Sequence, residues 1–170
     1  ETWEWDGTDW TLQSTGGPWA RSSHAMAYDS GRGVTVLFGG ASAAGPLGDT
    51  WEWNGTEWTL RAESGPSARA FHAMTFDSGR GVTVLHGGGG TWEFDADGWH
   101  LRALTGPPLV SPRGLAYDSV RGVTVLFGGY VYGIGYLSET REWDGVSWSL
   151  ASSVGPPPRG GQAMAYDSTR

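Results

Sequence analysis

Short runs in which large apolar side chains alternate with small or polar ones recur along the chain, and this is the period of a β-strand. They lie at 24–29, 72–77, 114–118 and 162–167. In the first three, a turn rich in Asp, Ser and Gly leads into a β-branched apolar run, at 34–38, 82–86 and 123–127. Aspartate caps tight turns and glycine supplies positive φ, so each pair of runs predicts a hairpin.

A second pattern places two aromatic residues on either side of an Asp-Gly or Asn-Gly turn. It occurs at 2–12, 50–60, 91–101 and 140–150, and Trp53 and Trp58 flank Asn54-Gly55 in its clearest copy. Alternating aromatics around such a dipeptide predict another hairpin. We expect the two aromatic side chains to touch across it and to hold its register.

The two patterns alternate, with about 41 to 49 residues between successive copies, and this period is typical of repeat architectures. Each repeat predicts a four-stranded antiparallel meander with both faces apolar. Radial packing covers both faces, so we predict an all-β fold, a β-propeller of four-stranded antiparallel blades. A flat solenoid is the structural competitor. We interpret 1–13 as the last two strands of one blade, 17–62, 65–103 and 106–151 as full repeats, and 155–170 as the first strand of a further blade.

Glycine doublets after the apolar strands, followed by a variable loop and paired aromatics, resemble the kelch repeat. The doublets are Gly39-Gly40, Gly87-Gly88 and Gly128-Gly129, and the aromatic partners are Trp51 with Trp58, Trp92 with Trp99, and Trp148, whose partner position holds Arg141. The resemblance covers essentially the whole chain. It implies a propeller with the first strand of each blade innermost. It implies no single function, because kelch-type propellers include binding modules and enzymes.

The predicted strands add up to about 3.75 blades, whereas propellers typically have about 4–8. Two interpretations stay open. The chain is a piece of a longer propeller, or copies of it assemble into a ring as a homo-oligomer. Exposed edges and Trp-rich faces favour aggregation unless they are covered, so we do not expect a monomer in solution.

Composition narrows the classes of function. The chain has 170 residues, a net charge of −7, 11 Trp and no Cys. Without cysteine there are no disulfides, no thiolate catalysis and no cysteine-ligated metal. Neither nucleic acid nor a membrane is expected as a partner, because the chain shows no basic cluster and no apolar run of about 18 residues. We predict no cofactor and no metal, and we favour an extracellular or cell-surface location.

Two groups of residues are candidates for ligand binding. Loops between the second and third strands differ most among repeats, and one of them carries Tyr130, Tyr132 and Tyr136 on a glycine-rich backbone. Polar residues at the entries to the first strands form the second group: Arg21, His24, Arg69, His72, Arg113, Arg159 and Gln162. This second group would form a ring around the mouth of a central channel, suited to an anionic or hydroxylated ligand. The competing interpretation is structural: the tyrosines pack on a neighbouring loop, and the ring residues bind backbone carbonyls or pair with carboxylates such as Glu52.

Carboxylates such as Glu4 and Asp6 recur in every repeat, which is typical of turn capping rather than of acid–base catalysis. We therefore predict a non-catalytic module that binds protein or glycan through the variable loops. Two alternatives stay open: the propeller portion of a larger secreted carbohydrate-active enzyme, and a proteolytic fragment without independent function.

Overall fold

A computed structural model describes residues 1–107 and 114–169, and these residues fold into strands joined by turns and loops. Within these two ranges there is no helix, and hence no helix that could span a membrane. The strands are β1 (Thr2–Trp5), β2 (Trp10–Ser14), β3 (Ala25–Asp29), β4 (Val34–Ser42), β5 (Gly45–Trp53), β6 (Trp58–Ala62), β7 (Ala73–Asp77), β8 (Val82–His86), β9 (Thr91–Asp95), β10 (Gly98–Ala103), β11 (Leu115–Asp118), β12 (Val123–Phe127), β13 (Tyr130–Val131), β14 (Gly135–Tyr136), β15 (Thr140–Trp143) and β16 (Trp148–Ser152).

Three sheets are four-stranded antiparallel meanders, in the orders β3-β4-β5-β6, β7-β8-β9-β10 and β11-β12-β15-β16. They are here called the first, second and third sheets. β1 and β2 form a two-stranded sheet of the same type as β5–β6, and β13 and β14 form a small hairpin. The all-β prediction and the four-stranded antiparallel sheets are confirmed.

Two details differ from the prediction. The tyrosine-bearing loop contains the hairpin β13–β14, which its glycines did not indicate. Residues 162–167, predicted as a first strand, are not a strand of any sheet among the described residues. Strand assignment requires a hydrogen-bonded neighbour, and no β4-type strand lies beside this segment in the part of the chain that the structure describes.

The turn after each first strand is closed by an aspartate, as its sequence predicts. Asp29 Oδ1 accepts hydrogen bonds from the backbone N–H groups of Gly31 and Arg32, both at 3.0 Å. Its Oδ2 accepts one from Arg32 Nε at 2.6 Å, and Arg32 also reaches Glu52 at 2.6 Å. The same arrangement recurs around Asp77 and Asp118. These turns tie the first hairpin of each sheet to its third strand.

The aromatic residues across the second turn are in contact in every sheet that has one. Trp53 faces Trp58 in the register of β5 and β6, with ring centroids 5.6 Å apart. The pairs Trp5 with Trp10, Phe94 with Trp99, and Trp143 with Trp148 have centroid distances of 5.6, 5.0 and 5.7 Å. The predicted contacts are confirmed.

The hydrophobic core lies between successive sheets rather than inside one of them. Val36 and Phe38 of the first sheet pack with Leu85 and Phe94 of the second, and all four are nearly inaccessible. Smaller clusters join the second sheet to the third, one around Leu126 and one around Trp143. Burying one such side chain contributes about 1.5–3 kcal/mol. Each sheet therefore depends on its neighbour for stability.

Candidate binding site at the loop end

The loops that enter the first strands lie beside the loops that join the second and third strands. Ser22 and Ala41 exchange two backbone hydrogen bonds, of 2.9 and 2.8 Å. Arg69 N–H donates to the Leu47 carbonyl at 2.9 Å, and Arg159 N–H to the Leu137 carbonyl at 3.1 Å. Both sets of loops therefore lie at one end of the sheets, here called the loop end, as the meander topology predicts.

A cavity of about 350 Å³ opens at the loop end. The residues that line it come from the starts of three first strands and from the segment 161–164: Ser23, His24, Ala25, Met26, Phe71, His72, Ala73, Met74, Leu115, Gly161, Gln162, Ala163 and Met164. A second cavity of about 500 Å³ lies towards the opposite end and shares Met26, Met74, Leu115 and Met164 with the first. Segment 162–166 thus lines the same space as β3, β7 and β11, although it is not a strand.

His72 and Gln162 occupy equivalent positions and make the same contact. His72 Nε2 donates to the Phe38 carbonyl at 3.1 Å, and Gln162 Nε2 donates to the Phe127 carbonyl at 2.5 Å. Each bond joins a polar residue to the residue that precedes the glycine doublet of the preceding sheet. The remaining polar atoms, His72 Nδ1 and Gln162 Oε1, are buried and have no hydrogen-bond partner among the described residues. Both side chains therefore keep one unused acceptor.

The histidines at this end are held in the neutral form. His72 is 5% exposed, and burial lowers its pKa to about 4 against the partial support of the Phe38 carbonyl. The positive charge of Arg69, and that of His24 when its ring is protonated, lower the pKa of His72 further. His24 is more exposed, and partial desolvation followed by Arg21 lowers its pKa. At neutral pH these rings are hydrogen-bonding groups rather than cations.

The residue before each of these polar side chains has left-handed backbone geometry. Ser23 has φ of 55°, Phe71 of 63° and Gly161 of 80°. This region is costly for residues with a Cβ, by roughly 1–2 kcal/mol. Phe71 N–H donates to the Ser23 carbonyl at 3.0 Å, which joins two successive entries. Strained residues cluster at the opening of the cavity, where backbone strain is often associated with function.

Arg21 lies in a fully paired site. Its two terminal nitrogens donate to the carboxylate of Asp49 at 2.6 and 2.8 Å, and it also donates to the carbonyls of Trp19 and Gly39 at 3.0 Å. Trp51 Nε1 donates to the same carboxylate at 2.6 Å. Burial alone would raise the pKa of Asp49, but the hydrogen bonds from Arg21 and Trp51 outweigh it and hold the pKa below the ordinary 3.8.

Arg69 lies in the equivalent site of the second sheet without a carboxylate. It donates to the Ser67 and Gly87 carbonyls at 2.8 and 2.5 Å and to the Ser67 hydroxyl at 2.9 Å. The residue is 8% exposed, and burial lowers the pKa of its guanidinium. Gly90 stands where Asp49 stands in the first sheet, and Trp92 Nε1 is buried without a partner among the described residues. The positive charge of Arg69 thus has no carboxylate partner in the part of the chain that the structure describes.

The structure shows few contacts for the other two arginines of the predicted ring. Arg159 is exposed and donates from Nε to the Pro157 carbonyl at 3.0 Å. Arg113 lies outside the described residues. The described members of the ring do meet at the loop end, and the carbonyl contacts expected under the structural interpretation are present. Their binding of a ligand stays a prediction.

The three predicted tyrosines form one cluster on the hairpin β13–β14. The Tyr130 ring lies 6.3 Å from Tyr132 and 5.2 Å from Tyr136, measured between centroids. Tyr132 is 83% exposed and Tyr136 is 58% exposed. A Cβ added at Gly160 would lie 2.9 Å from Tyr136 Cε1, so the ring packs closely on the backbone next to Gly161. One tyrosine of the hairpin therefore packs on a neighbouring loop, next to Gly161 of the cavity wall.

One expected partner was wrong. The carboxylate expected for the entry arginines, Glu52, is bound by Arg32 and Arg61, and Asp49 pairs with Arg21 instead. The residue before each third-strand threonine is Asp49, Gly90 or Glu139 in the three repeats. Asp49 makes an ion pair with Arg21, and Gly90 supplies no carboxylate to Arg69.

Sequence comparison adds no family to this geometry. The chain matches no protein-family model, and no curated protein gave a significant match. Across 1–107 and 114–169, no group of three or more His, Cys, Asp or Glu side chains is placed to hold a metal ion.

Proposed function

We propose that the chain is a kelch-like β-propeller segment and a non-catalytic module that binds protein or glycan at the loop end. The observation that supports the proposal most is the cavity of about 350 Å³, which His24, His72 and Gln162 help to line. The tyrosine hairpin packs on Gly160, next to the lining residue Gly161. Ligand pockets typically have about 300–1,000 Å³, mostly apolar walls and a few polar groups, and this cavity meets that description.

A radial arrangement of the sheets is supported by the position of the first strands. β3, β7, β11 and the segment 162–166 all line the two cavities, and the sheets extend away from this space through their later strands. The cores lie between successive sheets, as expected when blades cover one another. The glycine doublets and paired tryptophans favour the kelch type among propellers.

The chemistry of the opening favours a ligand with hydroxyl or anionic groups. His24, His72 and Gln162 line the cavity with neutral polar side chains, and such groups suit hydrogen bonds with sugar hydroxyls. Arg159, which is exposed at the loop end, can pair with a carboxylate from an acidic sugar or an acidic side chain. Exposed tyrosines stack on sugar rings and on peptide side chains with little loss of side-chain entropy.

The hydrogen bonds and ion pairs that the polar groups already make favour a binding role over catalysis. His72 Nε2 and Gln162 Nε2 donate to backbone carbonyls, and the remaining His72 Nδ1 is buried. The carboxylates nearest the loop end, Asp49 and Glu139, bind Arg21 and Arg141. These bonds fix the loops. A general acid or base would instead need a group free to exchange a proton with a substrate.

The experiment is binding of the labelled chain to a glycan array and an acidic-peptide array, together with turnover assays on model glycosides. We expect binding without turnover, and a loss of at least tenfold in affinity for Tyr132→Ala combined with Tyr136→Ala. Tyr28→Ala is the matched control, because Tyr28 is 60% exposed and lines the cavity at the opposite end. Hydrolysis of a glycoside, or equal effects of control and test variants, would overturn the proposal.

A further inference from the structure

One hydrogen bond is repeated at every contact between successive sheets. A tryptophan in the last strand of a sheet donates its Nε1–H to a threonine hydroxyl of the preceding sheet. The pairs are Trp58 with Thr2, Trp99 with Thr50, and Trp148 with Thr91, at 2.6, 2.8 and 2.7 Å. The hydrogen bond is therefore a regular part of the packing of each sheet on the preceding one.

The same tryptophan rests on a glycine in the loop that follows the preceding sheet. The pairs are Gly17 with Trp58, Gly65 with Trp99, and Gly106 with Trp148, and an added Cβ would lie 2.5, 2.5 and 2.8 Å from the indole Cδ1. Real Cβ atoms do not approach so closely, so the indole can lie there only because the residue is glycine.

A fourth copy of this contact is divided between two distant surfaces. Trp10 has the position of the donating tryptophan but is 63% exposed and donates no hydrogen bond within the described residues. Thr140 has the position of the acceptor, and no side chain of the described residues donates to it. Gly155 has the position of the glycine, and an added Cβ there would meet only ordinary contacts, at 3.6 Å.

A tryptophan of the third strand makes a second hydrogen bond between successive sheets. Trp53 Nε1 donates to Glu4 at 2.8 Å, and Trp143 Nε1 donates to Glu93 at 3.2 Å. The equivalent donor on the exposed surface is Trp5, which is 51% exposed, and the equivalent acceptor is Glu142 beside Thr140. Donors, acceptors and the glycine platform are therefore complementary.

We propose that the surface of Trp5 and Trp10 docks on the surface of Thr140, Glu142 and Gly155 of a second copy of this chain. The occupant is inferred from continuity with the internal contacts, which show what covers such a surface. The two surfaces differ, so the contact is heterologous and either closes a ring or extends into a longer assembly. This inference is independent of the proposed ligand site.

The first experiment measures self-association of the 170-residue chain by sedimentation velocity over a wide range of concentrations. We expect a concentration-dependent dimer or larger assembly. Gly155→Ala should weaken association at least tenfold, because the new methyl group occupies the place of the incoming indole. It should leave the fold intact, since the φ of Gly155 is not left-handed and its surroundings have room. Thr140→Val, which removes only the acceptor, should weaken association less.

Trp10→Ala should also weaken association, and Trp19→Ala is its matched control because Trp19 is 82% exposed and has no place in the repeated contact. Mixing the Trp10→Ala and Gly155→Ala variants provides a sharper test, since each retains the surface that the other has lost. The mixture should form heterodimers at concentrations at which neither variant associates alone.

Circular dichroism identifies any variant that fails to fold, and the remaining variants then decide the outcome. A wild-type chain that stays monomeric at all concentrations overturns the proposal. So does association that neither Gly155→Ala nor Trp10→Ala weakens, because the copies would then meet elsewhere.

Discussion

Equivalent arginines lie at the loop end of the first and second sheets, but their side-chain partners differ. Arg21 forms a two-bonded ion pair with Asp49, whereas Arg69 is buried with neutral acceptors only. The backbone around the two arginines is the same, since each donates to the carbonyl two residues before it and to the carbonyl of the first glycine of a doublet. The carboxylate is therefore dispensable for the local geometry. We call the site of Arg21, which has the carboxylate, locked, and the site of Arg69, which lacks it, open.

The length of the neighbouring loop explains why the first sheet has the carboxylate and the second does not. β4 and β5 extend into a long hairpin that presents Asp49, whereas β8 and β9 are joined by four glycines at 87–90. Gly90 has φ of 149°, and an added Cβ there would lie 3.0 Å from the Ala103 carbonyl, so an aspartate at this position would be strained. The short loop removes the acid and leaves Arg69 with neutral acceptors only.

The largest effect is expected for Asp49→Ala. The change leaves the Arg21 guanidinium buried without its counter-ion and removes the acceptor of Trp51, which reproduces the second sheet within the first. Breaking a buried ion pair on one side costs about 3–5 kcal/mol, and partial exposure of Asp49 places our expectation near the lower limit, about 3 kcal/mol. Urea denaturation followed by tryptophan fluorescence measures it.

Asp97→Ala is the control for this measurement, since Asp97 is an exposed turn residue and its loss should change stability by less than about 0.5 kcal/mol. The effect of Asp49→Ala should also depend on pH. The pKa of Asp49 is lowered in the folded state, so its contribution is complete above the unfolded pKa near 3.8 and is lost as pH falls through the folded value. A deficit that persists unchanged in acid would contradict the ion-pair explanation.

An intermediate effect is expected for His72→Gln, which copies the residue found at 162. Gln162 shows that an amide can bind the preceding strand's carbonyl, so the variant should fold and keep that bond. The pKa of His72 is lowered to about 4, so the unfolded chain binds a proton that the folded chain does not between about pH 6.5 and 4. The wild type should therefore lose about 2 kcal/mol from this group on going from pH 6.5 to 5, and the variant should not.

The measurement is urea denaturation at several pH values, and the slope of the unfolding free energy against pH should fall by about one proton. Some slope will persist in the variant, because burial lowers the pKa of His86 to about 4 as well. Equal slopes for wild type and variant would show that His72 is not held neutral by the fold.

Features that depend on near neighbours in the chain were predictable from the sequence. Residues a few positions apart close the Asp29 turn, the Trp53–Trp58 contact and the hairpins around them. Both partners of each interaction therefore lie in the same short stretch of sequence. The same is true of the loop end as a location, because a meander fixes which loops emerge together.

Features that depend on distant segments were not predictable. Asp49 reaches Arg21 across 28 positions, and only the long β4–β5 hairpin brings them together. The residues 162–167 have the pattern of a strand, yet a strand also needs a partner, which no local pattern supplies. The methionines that line the cavity, Met26, Met74 and Met164, were indistinguishable in sequence from ordinary core residues.

The smallest effect is expected for Arg69→Met. The variant gives up hydrogen bonds to Ser67 and Gly87, each with a net contribution of about 1 kcal/mol, but it also removes a buried charge that has no counter-ion. These two contributions oppose each other, so stability should change by about 1 kcal/mol or less. The matched variant Arg21→Met should cost about 3 kcal/mol, because it leaves the Asp49 carboxylate partly buried and without its counter-ion. Equal losses in urea denaturation would mean that Asp49 adds nothing beyond the neutral acceptors, and the distinction between a locked and an open arginine would then fail.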